Sequence, residues 1–472
     1  MQIRNMFTEK KLEGCVLHYT ATDKLKLSQD SGLFDAQIVD HIYESGKGAI
    51  LFETPITMIG DQAFEDCENL IDVVLPDSIT EIGSSAFCGC RSLVSVKLSN
   101  SITEIGDHAF SFCSSLASII IPDSVVEIGS GAFNYCVSLA SINLSNSITF
   151  IRCATFQNCS KLENVVIGNR VDTIESGAFY SCCSLKEVVI PDSVTKIGSN
   201  AFANCKSLKN VTIGNGITEI GYEAFSCCDG LESVTIGNRL SAVEREAFKG
   251  CPNLRAFYGK LVSPDNRCLI IDGILNSFAA AGLSEYVIPS HVTSIGSYVF
   301  KGCDKLTSVT IPNGVTSIGY EAFCRCGLTC VTIPNSIISI SDYAFCQSGL
   351  SSITFSDSVE YIGYGAFSGC VSLTNVDLPS KIKSIDDAVF RYCTKLASIT
   401  IPECVTSVGP YTFDGCQGLT SVYCRPSTPP CSDYNISEES FANCKIYVPA
   451  ASVSAYKMTH PWDSFPDNII GY

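Results

Sequence analysis

Charge is scarce in this sequence. Asp, Glu, Lys and Arg make up 17% of its 472 residues, against roughly a quarter in an ordinary soluble domain. Basic residues are the scarcer sign, 31 against 48 acidic, for a formal charge of −17. That balance argues against a nucleic-acid partner, because neutralising phosphates takes a net or local basic stripe. It argues against an anionic membrane surface on the same ground. Long apolar runs are missing as well, so no membrane insertion is expected: nothing approaches the ~18 consecutive apolar residues of a span. The opening MQIRNMFTEKKLEGCVLHY lacks the apolar core of a secretory leader. On this reading the chain is not exported by that route, or its leader lies outside the sequence. Five histidines (His18, His41, His108, His291, His460) are dispersed, without HExxH or paired spacing. Disorder is excluded by a 46% hydrophobic content.

Cysteine, by contrast, is abundant: 27 residues, an odd number that leaves at least one thiol unpaired in a monomer. Its spacing says more than its count. Cys67, Cys90, Cys113, Cys136, Cys159, Cys182, Cys205, Cys228 and Cys251 follow one another at intervals of 23, and Cys303, Cys326, Cys370, Cys393, Cys416 and Cys444 continue the series after slips. One cysteine at a fixed place in every repeat reads first as a small buried hydrophobe. Disulfides along the ladder and a metal site remain the alternatives. Parallel side chains one strand spacing apart do not converge as a disulfide requires, so mostly free thiols are expected.

Phenylalanine keeps the same period, from Phe64 to Phe248 in steps of 23 and again from Phe300 to Phe413 with two steps of 22. Leucine accompanies it from Leu70 to Leu419, sixteen members in all. One unit runs CRSLVSVKLSNSITEIGDHAFSFC, Cys90 to Cys113. Leu93, Val96 and Leu98 mark a short strand with alternating faces. Ser99-Asn100-Ser101 is a turn, replaced elsewhere by Pro-Asp-Ser or Gly-Asn-Gly. Ile102 and Ile105 point inward, and Ala109, Phe110 and Cys113 have the spacing of one helical or 3-10 turn. Such a unit cannot bury its apolar face alone and must stack on its neighbours. The fold class is therefore an α/β repeat solenoid: leucine-rich repeats with a long parallel sheet, about sixteen units of 22–23 residues, capped at both ends. One elongated domain replaces the about three that length alone suggests.

The recurring pattern A-F-x-x-C-x-x-L-x-x-V-x-I-P-x-x-V-x-x-I-G, cleanest at 201–221 and 299–319, resembles the BspA-like (treponemal-type) leucine-rich repeat family over residues 50–424. The resemblance implies a surface or secreted protein that adheres to host matrix proteins or other cells, with no catalytic residues and no cofactor. Departures from the period define the organisation: 1–55 as an N-terminal cap with the strand GAILF, 56–424 as the solenoid, and 425–472 as a C-terminal cap. Within the solenoid an atypical 29-residue unit at 255–283 carries RCLIIDGILNSF, a hairpin about Asp272-Gly273. The last cap contains the strand KIYVP and a capping helix over 452–465 bearing Trp462.

Chemistry is sparse on the outward face. The positions two and four residues after each leucine total thirty-two; none is His or Arg and only five are charged. General acid–base catalysis needs positioned titratable groups, so the chain reads as no enzyme. Cys324, Cys326, Cys330 and Cys346 are locally dense but lack C-x-x-C spacing. Glu81, Glu104 and Glu127 share one repeat position and should stack into a solvated acidic edge, with calcium as the alternative. Sequons stand at Asn143, Asn158, Asn210 and Asn435.

One asymmetry points to a partner. Thirteen of the nineteen tyrosines follow residue 280, and tyrosine is enriched at interfaces. Drift of the repeat consensus is the competing explanation. The candidate ligand-binding set is Thr310, Thr332, Thr354 and Thr400 on the strands, with Tyr298, Tyr320, Tyr343, Tyr364 and Tyr411 in the flanking turns. The function expected is adhesion or binding of a protein or glycan, possible matrix ligands included, at the cell surface or after secretion. An intracellular interaction scaffold, or an accessory domain of an enzyme, is the alternative.

Overall fold

The computed structural model describes residues 15–27, 32–432 and 437–472. Parts of both expected caps, and Asn435, lie outside the described residues. The chain forms two compact units, Met1–Lys260 and Leu261–Tyr472.

In the first unit each repeat contributes to two parallel ladders. The L-x-x-V-x-I stretch gives strands such as Glu187–Ile190, Asn210–Ile213, Ser233–Thr235 and Ala256–Tyr258. They pair in register one repeat apart, Glu187 beside Asn210, Asn210 beside Ser233 and Ser233 beside Ala256. The second ladder uses the two residues that end each V-x-x-I or I-x-x-I stretch, as in Phe150–Ile151, Thr173–Ile174 and Lys196–Ile197, usually followed by glycine but by Arg152 and Glu175 in the first two. Sequence reading marked Ile102 and Ile105 as inward but did not foresee that these short segments pair as strands.

The A-F-x-x-C segment differs from expectation. It forms consecutive hydrogen-bonded turns, not a helical or 3-10 turn. Two residues per repeat take left-handed backbone there, for example Asn200 and Asn204 at φ 55° and 61°. Left-handed residues interrupt a right-handed helix. Here they turn N–H groups along the stacking axis instead: Phe202 N–H donates to Ala224 O and Asn204 N–H to Ser226 O, both at 2.8 Å. The third side of each turn is thus hydrogen-bonded to the next repeat as well.

Inside, the phenylalanine rings stack face to face. From Phe64 to Phe248 successive centroids lie 5.0–5.5 Å apart with planes within 11°. The ladder cysteines lie beside them as free thiols, all buried except the half-buried Cys251. Each thiol donates to the phenylalanine carbonyl of the preceding repeat: Cys113 to Phe87 at 3.1 Å, Cys136 to Phe110 at 3.1 Å, Cys205 to Phe179 at 3.3 Å. Cysteine suits the place because it is small, apolar and still a weak donor. Burial pushes these thiols far up, Cys159 to about 12, so they stay protonated.

The start of this unit is antiparallel. Val16–Ala21, called β1, lies between Lys47–Phe52 and the first repeat strand, Leu70–Val74. The GAILF segment is a strand as expected, but β1 is what borders the repeats. A parallel ladder otherwise ends in unpaired backbone groups, and β1 pairs with them.

The second unit opens with the expected hairpin, Cys268–Ile271 against Ile274–Phe278. Asp272 and Gly273 both have positive φ, 50° and 78°, as a tight two-residue turn requires. Ile274–Phe278 then pairs in parallel with Ser294–Ile295, so the hairpin begins the second ladder of this unit. Its base is tied by Cys268 N–H to Ser263 Oγ at 2.8 Å and by the Cys268 thiol against Tyr286 Oη at 3.1 Å. Rings stack again from Phe300 to Phe413. Ser348 replaces one ladder cysteine, buried and 3.3 Å from Cys370 Sγ.

At the end, Lys445–Val448 and Ile469–Gly471 extend the strand ladder. The expected capping helix over 452–465 is a four-residue helix, Val453–Tyr456, between 3-10 turns. Pro461 lacks the N–H that would continue it. Trp462 is nonetheless fully buried and donates to Pro430 O at 2.8 Å.

Two outcomes are expected. Phe202, sandwiched by Phe179 and Phe225, should cost about 3–5 kcal/mol on replacement by alanine, with hydrogen exchange rising first in the adjoining repeats. Uniform loosening of the whole unit would contradict this. Alkylation of the native chain should label Cys153, Cys227, Cys330, Cys404 and Cys431, which are exposed, and reach the ladder thiols only after unfolding, as peptide mapping would report.

Candidate binding surface

Tyrosine side chains of the second unit are brought into one strip by the repeat register. Two positions alternate. Tyr320 and Tyr364 directly follow an Ile-Gly pair, whereas Tyr298 and Tyr343 lie one residue further on, at φ 66° and 54°. Because neighbouring repeats use different positions, the rings interleave and do not stack flat. Centroids are 5.4 Å apart for Tyr298–Tyr320, 5.9 Å for Tyr320–Tyr343 and 5.0 Å for Tyr343–Tyr364, with planes crossing at 60°, 77° and 68°. Edge-to-face packing of this kind is favourable.

Cations lie against tyrosine rings at two places. Lys301 Nζ sits 4.7 Å from the Tyr298 ring centre and 2.7 Å from Glu321. The Arg391 guanidinium lies 4.7 Å from the Tyr392 ring and 5.3 Å from the Tyr411 ring, and bonds Asp414 at 3.0 Å. These are cation–π distances. Burial, then a hydrogen bond to Glu321, pushes the Tyr320 phenol up to about 12. Tyr343 is raised by burial first and by Tyr364 second. These two phenols are therefore donors throughout the physiological range, suited to recognition and not to acid–base chemistry near neutrality.

The structure separates the two halves of the candidate set. Thr310, Thr332 and Thr354 stand exposed on the strands Ser308–Thr310, Cys330–Thr332 and Ser352–Thr354, with Thr332 directly beside Thr354. The tyrosines belong to the turns after the other ladder. Thr400, half-buried, lies in a different sheet between Asp377 and Tyr423. Tyr411 is 58% exposed and is joined through Arg391 to Tyr392, outside the ring contacts that run from Tyr298 to Tyr364. Sequence reading missed Lys301, Arg391 and Tyr392; the usable signal was the alternation of tyrosine positions between consecutive repeats. It also missed Tyr447, whose ring stacks on Tyr423 at 4.8 Å.

Other candidates gather less. Cys326 is buried in the core series and Cys330 exposed on a strand, while Cys324 and Cys346 are both buried. Among the described residues no group of three or more His, Cys, Asp or Glu could hold a metal ion. An open groove of about 420 Å³ in the first unit is lined by Val16, His18, Val74, Asp77, Ser78 and Lys97, its charged groups and His18 exposed. The acidic edge does form: Glu81 pairs in register with Glu104, and Glu104 with Glu127. Arg152 ends it, 2.8 Å from Glu127 and 3.6 Å from Glu175. Glu104 is raised by desolvation and then by Glu81, Glu127 and Asp107.

The profile of the BspA type leucine-rich repeat region matches residues 57–183, 126–255, 275–348 and 338–451. The chain belongs to this family. Its BspA-type repeats are similar to solved structures. A leucine-rich repeat protein of Eubacterium ventriosum is 26% identical, over 60% of this chain and 78% of that one, with a TM-score of 0.51. The pneumococcal vaccine antigen PcpA is 19% identical, over 95% and 98%, with a TM-score of 0.52, a likeness of fold. A leucine-rich repeat protein of Bacteroides ovatus is 26% identical, over 85% and 94%, with a TM-score of 0.48. None of the curated proteins is significantly similar to the chain. Among the described residues no helix is long and apolar enough to cross a membrane. The tyrosine strip lies outside the A-F-x-x-C and I-G marks of the BspA-type pattern.

The acidic edge yields a signed prediction. A carboxyl raised in the folded state destabilises that state once pH exceeds the unfolded pKa, and has no effect below it. Glu104→Gln should therefore raise the melting midpoint at pH 7, by a few tenths of a kcal/mol for so exposed a group. The gain should shrink in salt and vanish below the ordinary carboxylate range. Scanning calorimetry against pH and NaCl measures it; a loss of stability at pH 7 would mean that Glu104 is favourably paired.

Proposed function

We propose that this BspA-type chain is a non-catalytic recognition protein of the cell surface. It engages a macromolecular partner, protein or glycan, through the tyrosine strip of the unit Leu261–Tyr472. The observation that carries the reading is the unbroken ring-to-ring contact from Tyr298 to Tyr364, with Lys301 over the Tyr298 ring and a separate Tyr392–Arg391–Tyr411 group in the later repeats. Aromatic and arginine side chains dominate binding energy because they offer large contact area with few rotors. Rings held by their neighbours lose still less freedom on binding. The exposed threonines supply a second, polar face with hydroxyl donors and acceptors.

The −17 charge steers cationic partners and acts mainly on association rate. A second reading, an intracellular scaffold using the same strip, is favoured by the 27 free thiols, which suit a reducing compartment.

The test is a screen of the purified chain against extracellular-matrix proteins and glycans, followed by Tyr320→Ala and Tyr364→Ala. Each should weaken the binding found by more than about 1 kcal/mol at unchanged melting midpoint, while Thr332→Ala changes it by less. Full affinity in both tyrosine variants would sink the reading.

A further inference from the structure

We propose that the tyrosine strip is a track for an extended, uncharged glycan of β-linked hexopyranose units. This deepens the recognition reading above and rests on it. The argument begins with translation. The strip repeats once per turn of the unit, and turns follow one another at about the strand spacing, ~4.8 Å. Observed ring spacings of 5.4, 5.9 and 5.0 Å agree with that step. An extended β-linked pyranose chain, with one six-membered ring per unit, advances by a similar step per sugar. A protein surface without stacked repeats has no such translational period, so the track matches a polymer better than a partner of that kind.

Orientation adds a second match. Adjacent rings cross at 60°, 77° and 68°, and the tyrosine position itself recurs at every second repeat, Tyr298 with Tyr343 and Tyr320 with Tyr364. Successive sugars in an extended β-1,4-linked chain are likewise flipped, and recur at every second unit. One sugar face is a sheet of C–H bonds that packs on aromatic carbon, while equatorial hydroxyls need donors and acceptors at the rim. Protonated phenols supply the donors. Glu321, 2.7 Å from Lys301, and Asp386, which accepts from Tyr361 Oη at 2.9 Å, keep carboxylate lone pairs for acceptors.

Charge sets the class. Lys301 is paired with Glu321 and Arg391 with Asp414, so both cations are already balanced by carboxylates of this chain. Asp342, which accepts Tyr364 N–H at 2.9 Å, and Asp386 add negative charge along the track. Sulfated or uronic-acid polymers would meet like charge, and neutral or N-acetylated sugars would not.

The experiment is titration calorimetry of the full chain with cellohexaose and chitohexaose, their shorter oligomers, maltohexaose and heparin. At least one β-linked hexasaccharide should bind, with affinity falling about tenfold or more from tetramer to dimer. Maltohexaose and heparin should bind more weakly. Tyr320→Ala/Tyr364→Ala should lose about tenfold or more; if that variant melts early, Tyr364→Ala alone, an exposed ring, is scored instead. Tyr343→Phe keeps the ring and should keep most of the affinity. Failure of both β-linked hexasaccharides to bind overturns the proposal, as does tighter binding of heparin or full affinity in the scored tyrosine-to-alanine variant. A protein ligand that depends on the same tyrosines while both glycans stay unbound overturns the glycan inference and leaves the recognition reading standing. Indifference of every ligand found to these tyrosines overturns both.

Discussion

Backbone groups of one repeat satisfied by the next repeat are the constraint on which the rest of each unit depends. All three sides of a turn obey it: the strand side, the two-residue second ladder, and the turn side where Phe202 N–H reaches Ala224 O. A buried backbone group without a partner is costly, so repeats must align at an offset of one unit. From that alignment every side-chain column follows. Phenylalanine must lie on phenylalanine, glutamate beside glutamate and cysteine beside cysteine, whether or not the pairing is favourable. Glu104 shows the unfavourable case, raised by burial and by its like-charged neighbours.

The same constraint explains the cysteines. A column residue next to the phenylalanine stack must be small enough to clear the rings and apolar enough to be buried. It faces a carbonyl with a lone pair to spare, since Phe87 O already accepts Cys90 N–H and then takes the Cys113 thiol. Cysteine satisfies all three demands, and Ser348 shows that a hydroxyl is tolerated once. With pKa values driven upward by burial, these thiols are protonated and shielded, which makes them poor nucleophiles. They are placed to pack and not to react.

Function occupies what the column rule leaves free. Positions just after the Ile-Gly pair face outward on the turn side, and tyrosine there is carried at repeat spacing without disturbing the core. Alternation between two adjacent positions turns what would be a flat stack into an edge-to-face strip. The rings stay partly open, as Tyr364 and Tyr411 do, and their phenols remain donors. Ion pairs at Lys301–Glu321 and Arg391–Asp414 hold the two cations that lie against tyrosine rings.

The spacing of Leu, Phe and Cys determined by itself that repeats stack, which side chains are buried and where the period breaks; burial of an apolar face every 23 residues has few other solutions. The turn Asp272-Gly273 was equally legible, because two consecutive positive φ angles demand such residues. The tertiary structure alone decided what depends on partners distant in sequence. Left-handed residues at positions such as Asn200 and Asn204 replaced the expected helical turn, since their N–H groups bond to the neighbouring repeat and local periodicity carries no sign of it. It likewise put β1 against the first repeat strand, separated the threonines from the tyrosines, and brought Lys301 and Arg391 to the tyrosine rings. Those outcomes rest on which ladder a residue belongs to and on how long side chains bridge repeats. Both are set by the three-dimensional register, not by spacing along the chain.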